Sequence, residues 1–136
     1  MPLSVLDLAT VASDATSAQA LSEATQLAQL AEELGYSRFW VAEHHNMHTV
    51  ASTSPAVLMA HVAASTKSIK VGSGGVMLPN HAPLVIAEQF ALLEALHPGR
   101  IDLGIGRAPG SDRQTMAVIR GSAAALTADD FPRDLI

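Results

Sequence analysis

Residues 69–106 read IKVGSGGVMLPNHAPLVIAEQFALLEALHPGRIDLGIG, and this stretch decides the architecture. Ile69–Leu78 is a β-rich run interrupted by glycines. Pro83 then opens an apolar segment, PLVIAEQFALLEAL, because its fixed φ and missing N–H suit the first turn of a helix. His97-Pro98-Gly99 ends that helix, and Arg100–Gly106 returns to strand character. Strand, helix and strand at this spacing make a βαβ unit, whose two strands run parallel.

The same unit recurs on the N-terminal side. Leu3–Ala9 (LSVLDLA) reads as a strand, and SAQALSEATQLAQLAEELG after it as a helix. Leu27, Leu30, Ala31 and Leu34 share one face of that helix, and Gly35 is a natural stop. Ser37–Glu43 (SRFWVAE) is a second strand, and SPAVLMAHVAAST a second helix with Ser54 as N-cap and Pro55 at the first helical position. A helix is expected over Asp112–Leu126 after the fourth strand, and the closing DDFPRDLI reads as the approach to a further element.

Four strand–helix units imply a parallel sheet, either an open doubly wound sheet or a (β/α) barrel. In the fourth strand Ile101, Leu103 and Ile105 are expected on one face, with Asp102, Gly104 and Gly106 on the other. A face of small residues leaves room inside a barrel, which favours that architecture. GIGRAPG (104–110) has the wrong spacing for a dinucleotide-binding loop, and Pro109 stands where the helix should begin. The expected fold is therefore α/β, a parallel (β/α) barrel of TIM type with only its first four βα units in residues 1–136. A whole barrel takes ~250 residues, so the chain reads as the N-terminal half of such a domain. Half a barrel exposes sheet edges and an apolar inner face, so association into a homo-oligomer or with the missing half is expected.

Composition narrows the function classes. The chain is 49% hydrophobic and 15% charged, so it can bury a core. Its net charge of −5 and eight scattered basic residues disfavour a nucleic-acid partner. Lack of cysteine excludes disulfides and thiolate chemistry. No apolar run reaches the ~20 residues of a membrane span, and no signal peptide is evident. A cytoplasmic protein with no membrane partner is the expectation.

The chemistry-bearing residues follow the strands, where barrels build their sites. WVAEHHNMH (40–48) places Glu43, His44, His45 and His48 after the second strand. Ser73, Gly74 and Gly75 lie in the third, with Asn80 and His81 beyond, and Arg107 and Ser111 follow the fourth. On chemistry alone the histidines could be metal ligands. Neighbouring residues of a strand point to opposite faces, however, so His44 and His45 can hardly hold one ion, and no metal site is expected. His61 and His97 read as structural, Glu88 and Glu94 as solvated or capping charges.

AEHHNMH, VGSGGVMLPNHAPLVIAEQFALLEALHPGR and IDLGIGRAPG together resemble the bacterial luciferase-like flavin monooxygenases, in that family's order and spacing over nearly the whole chain. The resemblance implies a (β/α)8 barrel that binds reduced flavin, usually FMN, and activates dioxygen against an aldehyde or similar small organic substrate. Some relatives use a deazaflavin for hydride transfer, and a separate flavin reductase is the implied partner. A non-catalytic, flavin-binding or inert remnant is the competing expectation.

Position by position, His44 matches the family's catalytic histidine, a proton-transfer group beside the flavin. Gly74–Gly75 matches a non-prolyl cis peptide against the flavin ring, where a side chain would hold the backbone off a flat ligand; a simple bulge is the alternative. Arg107 matches an arginine directed to the flavin phosphate, or else pairs with Asp102 or Asp112. Gly106 stands where the luciferases carry a reactive cysteine near the flavin, which argues against bioluminescence and leaves the substrate open.

Overall fold

The computed structural model describes residues 1–108 and 110–121. In chain order they form β1 (Ser4–Asp7), α1 (Ser17–Glu33), β2 (Arg38–Val41), α2 (Pro55–Ser65), β3 (Lys70–Ser73), β4 (Val76–Met77), a 3-10 turn (Leu78–Asn80), α3 (Pro83–Leu96), β5 (Ile101–Asp102), β6 (Ile105–Gly106) and α4 (Arg113–Arg120). β1, β2, β3 and β5 pair in parallel in the order of the chain. A doubly wound sheet reverses its strand order at a switch point, and no reversal occurs here. The chain carries the first four βα units of a (β/α) barrel.

The alternation of strand residues sets the two faces. Phe39, Val41 and Val71 are fully buried on the helix side of the sheet. They share a core with Leu58, Met59 and Val62 of α2 and Ile86, Phe90 and Leu93 of α3. Each such side chain removed from water contributes about 1.5–3 kcal/mol before entropy is counted. On the other face, Trp40 faces Gly72 in register, and Arg38 Nε donates to Asp102 Oδ2 at 2.7 Å, reaching from β2 past β3 to β5.

Helix ends follow local chemistry. Thr16 and Gln19 form a reciprocal capping box at the start of α1. At its end Gly35, with φ +77°, lets Tyr36 N–H donate to Ala31 O and Gly35 N–H to Glu32 O, the double bond of a Schellman stop. Arg100 closes α2 by donating to the Ala63 and Thr66 carbonyls and to Thr66 Oγ1. Ser54 does occupy the N-cap of α2, but its side chain makes no capping bond.

Several expectations change. α1 buries Ala20, Ala24, Ala28 and Ala31, whereas Leu27, Leu30 and Leu34 are exposed. The small alanines let the helix approach the rest of the protein closely, and only Ala31 of the expected face is inside. The first two strands are shorter at both ends than expected. The third breaks at Gly74–Gly75 into β3 and β4, and the fourth breaks at Leu103–Gly104 into β5 and β6. Past the break β4 pairs with β6 in a second, two-stranded parallel sheet. The expected alternation in the fourth strand therefore fails beyond Asp102, and Leu103 and Ile105 are exposed. α4 ends at Arg120 because Gly121 adopts φ +71°. The expected extension over 122–126, and the closing segment 129–136, lie outside the described residues.

Candidate functional site

The βα loops after β1 to β6 are stitched into one rim. Thr10 bridges Val50, Val11 N–H donates to Thr49 O at 2.8 Å and Ala51 N–H to Ala9 O at 2.9 Å, joining the first loop to the second. Asn46 Nδ2 donates to Thr115 Oγ1 at 2.9 Å, joining the second loop to α4. His45 N–H donates to Gly110 O at 2.9 Å, joining it to the fourth loop. Gly110 has φ +63°, and a Cβ there would lie 2.7 Å from Glu43 O, so a side chain is excluded twice over.

The Gly74–Gly75 peptide is cis. Gly74 N–H donates to Val41 O at 2.7 Å, and Val76 N–H to Gly104 O at 2.8 Å. Between these bonds the Ser73 hydroxyl donates to Gly104 O at 2.9 Å and accepts from Gly104 N–H at 3.0 Å, replacing the ladder where both strands break.

The glycines here serve a purpose different from the one the sequence suggests. A Cβ on Gly104 would lie 2.1 Å from Ser73 O, and one on Gly75 would lie 2.9 Å from Gly104 O. The space beside Gly72 is filled by the Trp40 ring, whose Cε3 would be 2.4 Å from a Cβ, and that beside Gly106 by Met77 Sδ at 2.8 Å. The small-residue face lets two broken strands and an indole pack closely; it is not open space. Gly74, by contrast, is exposed, with Leu6 and Trp40 nearest its Cβ position.

His44 donates its backbone N–H to Ser52 O at 3.0 Å, and its ring Nδ1 is buried without a hydrogen-bond partner among the described residues. Arg107 is exposed and makes no hydrogen bond or ion pair among the described residues. Both partners suggested for it are engaged elsewhere. Asp102 holds Arg38. Asp112 caps α4 through Thr115 and Gln114, whose donors, chiefly the Thr115 N–H, keep its carboxyl below the ordinary value.

Glu43, placed after the second strand by the sequence but assigned no role there, is completely buried. Its Oε1 accepts from His45 Nε2 at 2.7 Å and His81 Nε2 at 2.9 Å, and its Oε2 from Met77 N–H at 2.8 Å. Burial pushes its pKa up, but the bonds from His81, His45 and Met77 outweigh that and hold it below the ordinary value. The signal available in the sequence was the two-residue spacing of Glu43 and His45, which puts them on one side of an extended chain with His44 on the other. His48 is exposed on the second loop. Among the described residues no group of three or more histidine or acidic side chains is arranged to hold a metal ion. No helix among them is long and apolar enough to cross a membrane.

The sequence profile described as luciferase-like monooxygenase matches residues 1–131. The chain belongs to the luciferase-like monooxygenase family. A luciferase-like monooxygenase of Escherichia coli K12 is 54% identical over 132 residues, which are 97% of this chain and 39% of that protein. The crystal structure of apo-MsnO8 superposes with a TM-score of 0.93 at 46% identity, covering 98% of this chain and 40% of that one. The chain thus spans about two-fifths of the length of these family members. The oxygenating constituent of 3,6-diketocamphane monooxygenase from Pseudomonas putida, in complex with FMN, shares the fold with a TM-score of 0.85 at 23% identity, over 99% of this chain and 37% of that one.

Proposed function

We propose that this chain bears the proton-transfer histidine and part of the flavin seat of a flavin-dependent monooxygenase. It would use reduced FMN, supplied by a separate reductase, and dioxygen on an aldehyde or similar small organic substrate. The observation that carries this reading is the buried His44 Nδ1, without a partner among the described residues, on a rim that also bears exposed Gly74 and Arg107. An exposed peptide without side chains offers a flat surface to a planar ring.

The residues present fit such a group. Gly74–Gly75 would lie against the ring, Gly106, whose side-chain direction Met77 fills, would border it through its backbone, and Arg107, otherwise unpaired among the described residues, would meet the phosphate by charge-assisted hydrogen bonds. When reduced, the flavin supplies the electrons that activate dioxygen. His44, whose Nδ1 has no protein partner among the described residues, would hold or deliver the proton the reaction needs.

The test is turnover of reduced FMN, dioxygen and a panel of long-chain aldehydes, with carboxylic acid as the product measured. Acid above background that is lost in His44→Ala supports the proposal. No acid above background, and no effect of His44→Ala, defeats it. Quenching of FMN fluorescence without turnover would leave a flavin-binding protein in place of an enzyme.

A further inference from the structure

Glu43 gathers donors from three separated parts of the chain: His45 beside it, Met77 in β4, and Asn80 and His81 in the segment before α3. It has no exposed surface, and no step in the proposed chemistry uses it. An ionised carboxylate can only accept hydrogen bonds. Both imidazoles must therefore carry a proton on Nε2, the atoms that lie 2.7 and 2.9 Å from Oε1. Buried ion pairs are weak as a source of net stability, since apolar replacements often serve as well. That points to what the carboxylate holds in place.

His44 is fixed between two anchors. Glu43, before it, is tied to Met77 N–H, two residues beyond the cis peptide. His45, after it, is tied to Glu43 through Nε2 and to Gly110 O through its backbone N–H. Asn46, with φ +56°, then turns the chain away. Glu43 and His45 are joined by their side chains, with His44 held between them.

We infer that Glu43 is a positioning residue, a buried anion that locks His45 and His81 with Nε2 protonated and ties the backbone bearing His44 to the segment leaving the Gly74–Gly75 bond. The inference rests on the reading of His44 and Gly74–Gly75 as a flavin site. Glu43→Gln keeps the shape but removes the charge and turns an NH2 donor towards either the Met77 N–H or the two imidazoles. Relief requires a histidine to move its proton to Nδ1 or the loops to shift.

The experiment combines imidazole 15N NMR with FMN fluorescence quenching, on the unaltered chain and on Glu43→Gln. The unaltered chain should show His45 and His81 protonated at Nε2. The variant should show a changed tautomer in at least one of them and an FMN affinity about tenfold weaker, with unchanged helical circular dichroism. A neutral Nδ1-protonated form of either histidine in the unaltered chain overturns the inference, whether or not the variant folds. Equal quenching and unchanged imidazole signals in the variant overturn it too. If the unaltered chain fails to quench FMN, the flavin reading falls, and the tautomers still decide how Glu43 holds the histidines.

Discussion

Glu32 gives the sharpest quantitative test of how the fold is held, at a place remote from the rim. This carboxylate, near the end of α1, accepts from the backbone N–H groups of Lys67, Ser68 and Ile69 at 2.6–3.0 Å and from the Ser68 hydroxyl at 3.0 Å. It thereby fastens α1 to the turn that feeds β3. Burial works against the anion, but the Ile69, Ser68 and Lys67 N–H bonds outweigh it and lower the pKa from 4.5 to about 2. Such a fall corresponds to roughly 3 kcal/mol of preference for the anion in the folded state. Solvent screening at this partly exposed site reduces the expected value to about 1–2 kcal/mol. Because the folded pKa lies below the unfolded one, this stabilisation is complete above about pH 5. It is lost as pH falls from 4.5 towards about 2. Glu32→Gln should thus be less stable than the unaltered chain by about 1–2 kcal/mol in urea unfolding at pH 7. The gap should narrow as the titration approaches pH 3.5. Equal stability at pH 7, or a gap of constant size across the titration, would refute the reasoning.

Three further outcomes follow from the geometry. Gly104→Ala places a Cβ 2.1 Å from Ser73 O, so the end of β3 and the break between β5 and β6 must part; a loss of about 1–3 kcal/mol or more is expected in urea unfolding, and an unchanged midpoint would contradict the close approach. Arg107→Ala should weaken FMN binding about tenfold while leaving riboflavin, which lacks the phosphate, unaffected; equal losses for the two ligands would remove the phosphate role. Leu6 of β1, Leu103 at the break and Ile105 of β6 are exposed, so sedimentation velocity of the chain should show an assembly larger than a monomer, and a well-folded monomer would count against it.

The parts of the fold visible in the sequence are those governed by local chemistry. Pro83 starts α3, Gly35 stops α1, and Ile69–Gly106 reads as a parallel unit because each signal acts within a few residues. The glycines of Ile69–Leu78 marked an interruption in the third strand, but the break at Leu103–Gly104 was not visible, because the fourth strand reads as continuous until the two segments are brought together. What interrupts the third and fourth strands is their mutual approach through Ser73 and Gly104. α1 misleads for a related reason. Its leucines and its alanines both recur with helical spacing, and only tertiary packing selects the alanine face. In the site, His44 and the glycine pair could be singled out by motif. Glu43 lies in the same motif, but only its pairing with His45 is local, since Met77 and His81 lie more than thirty positions away.

On the proposed function, the rim built by the second, third and fourth loops seats a flavin at the Gly74–Gly75 bond. Titration of the 15N-labelled chain with FMN tests it most directly, through the backbone amides of its glycines. Shifts are expected to concentrate at Gly74, Gly75 and Gly106, with Gly35 and Gly99, which end α1 and α3 away from the rim, unmoved. Shifts centred on Gly35 and Gly99, or no shift at any of the five at saturating FMN, would contradict it.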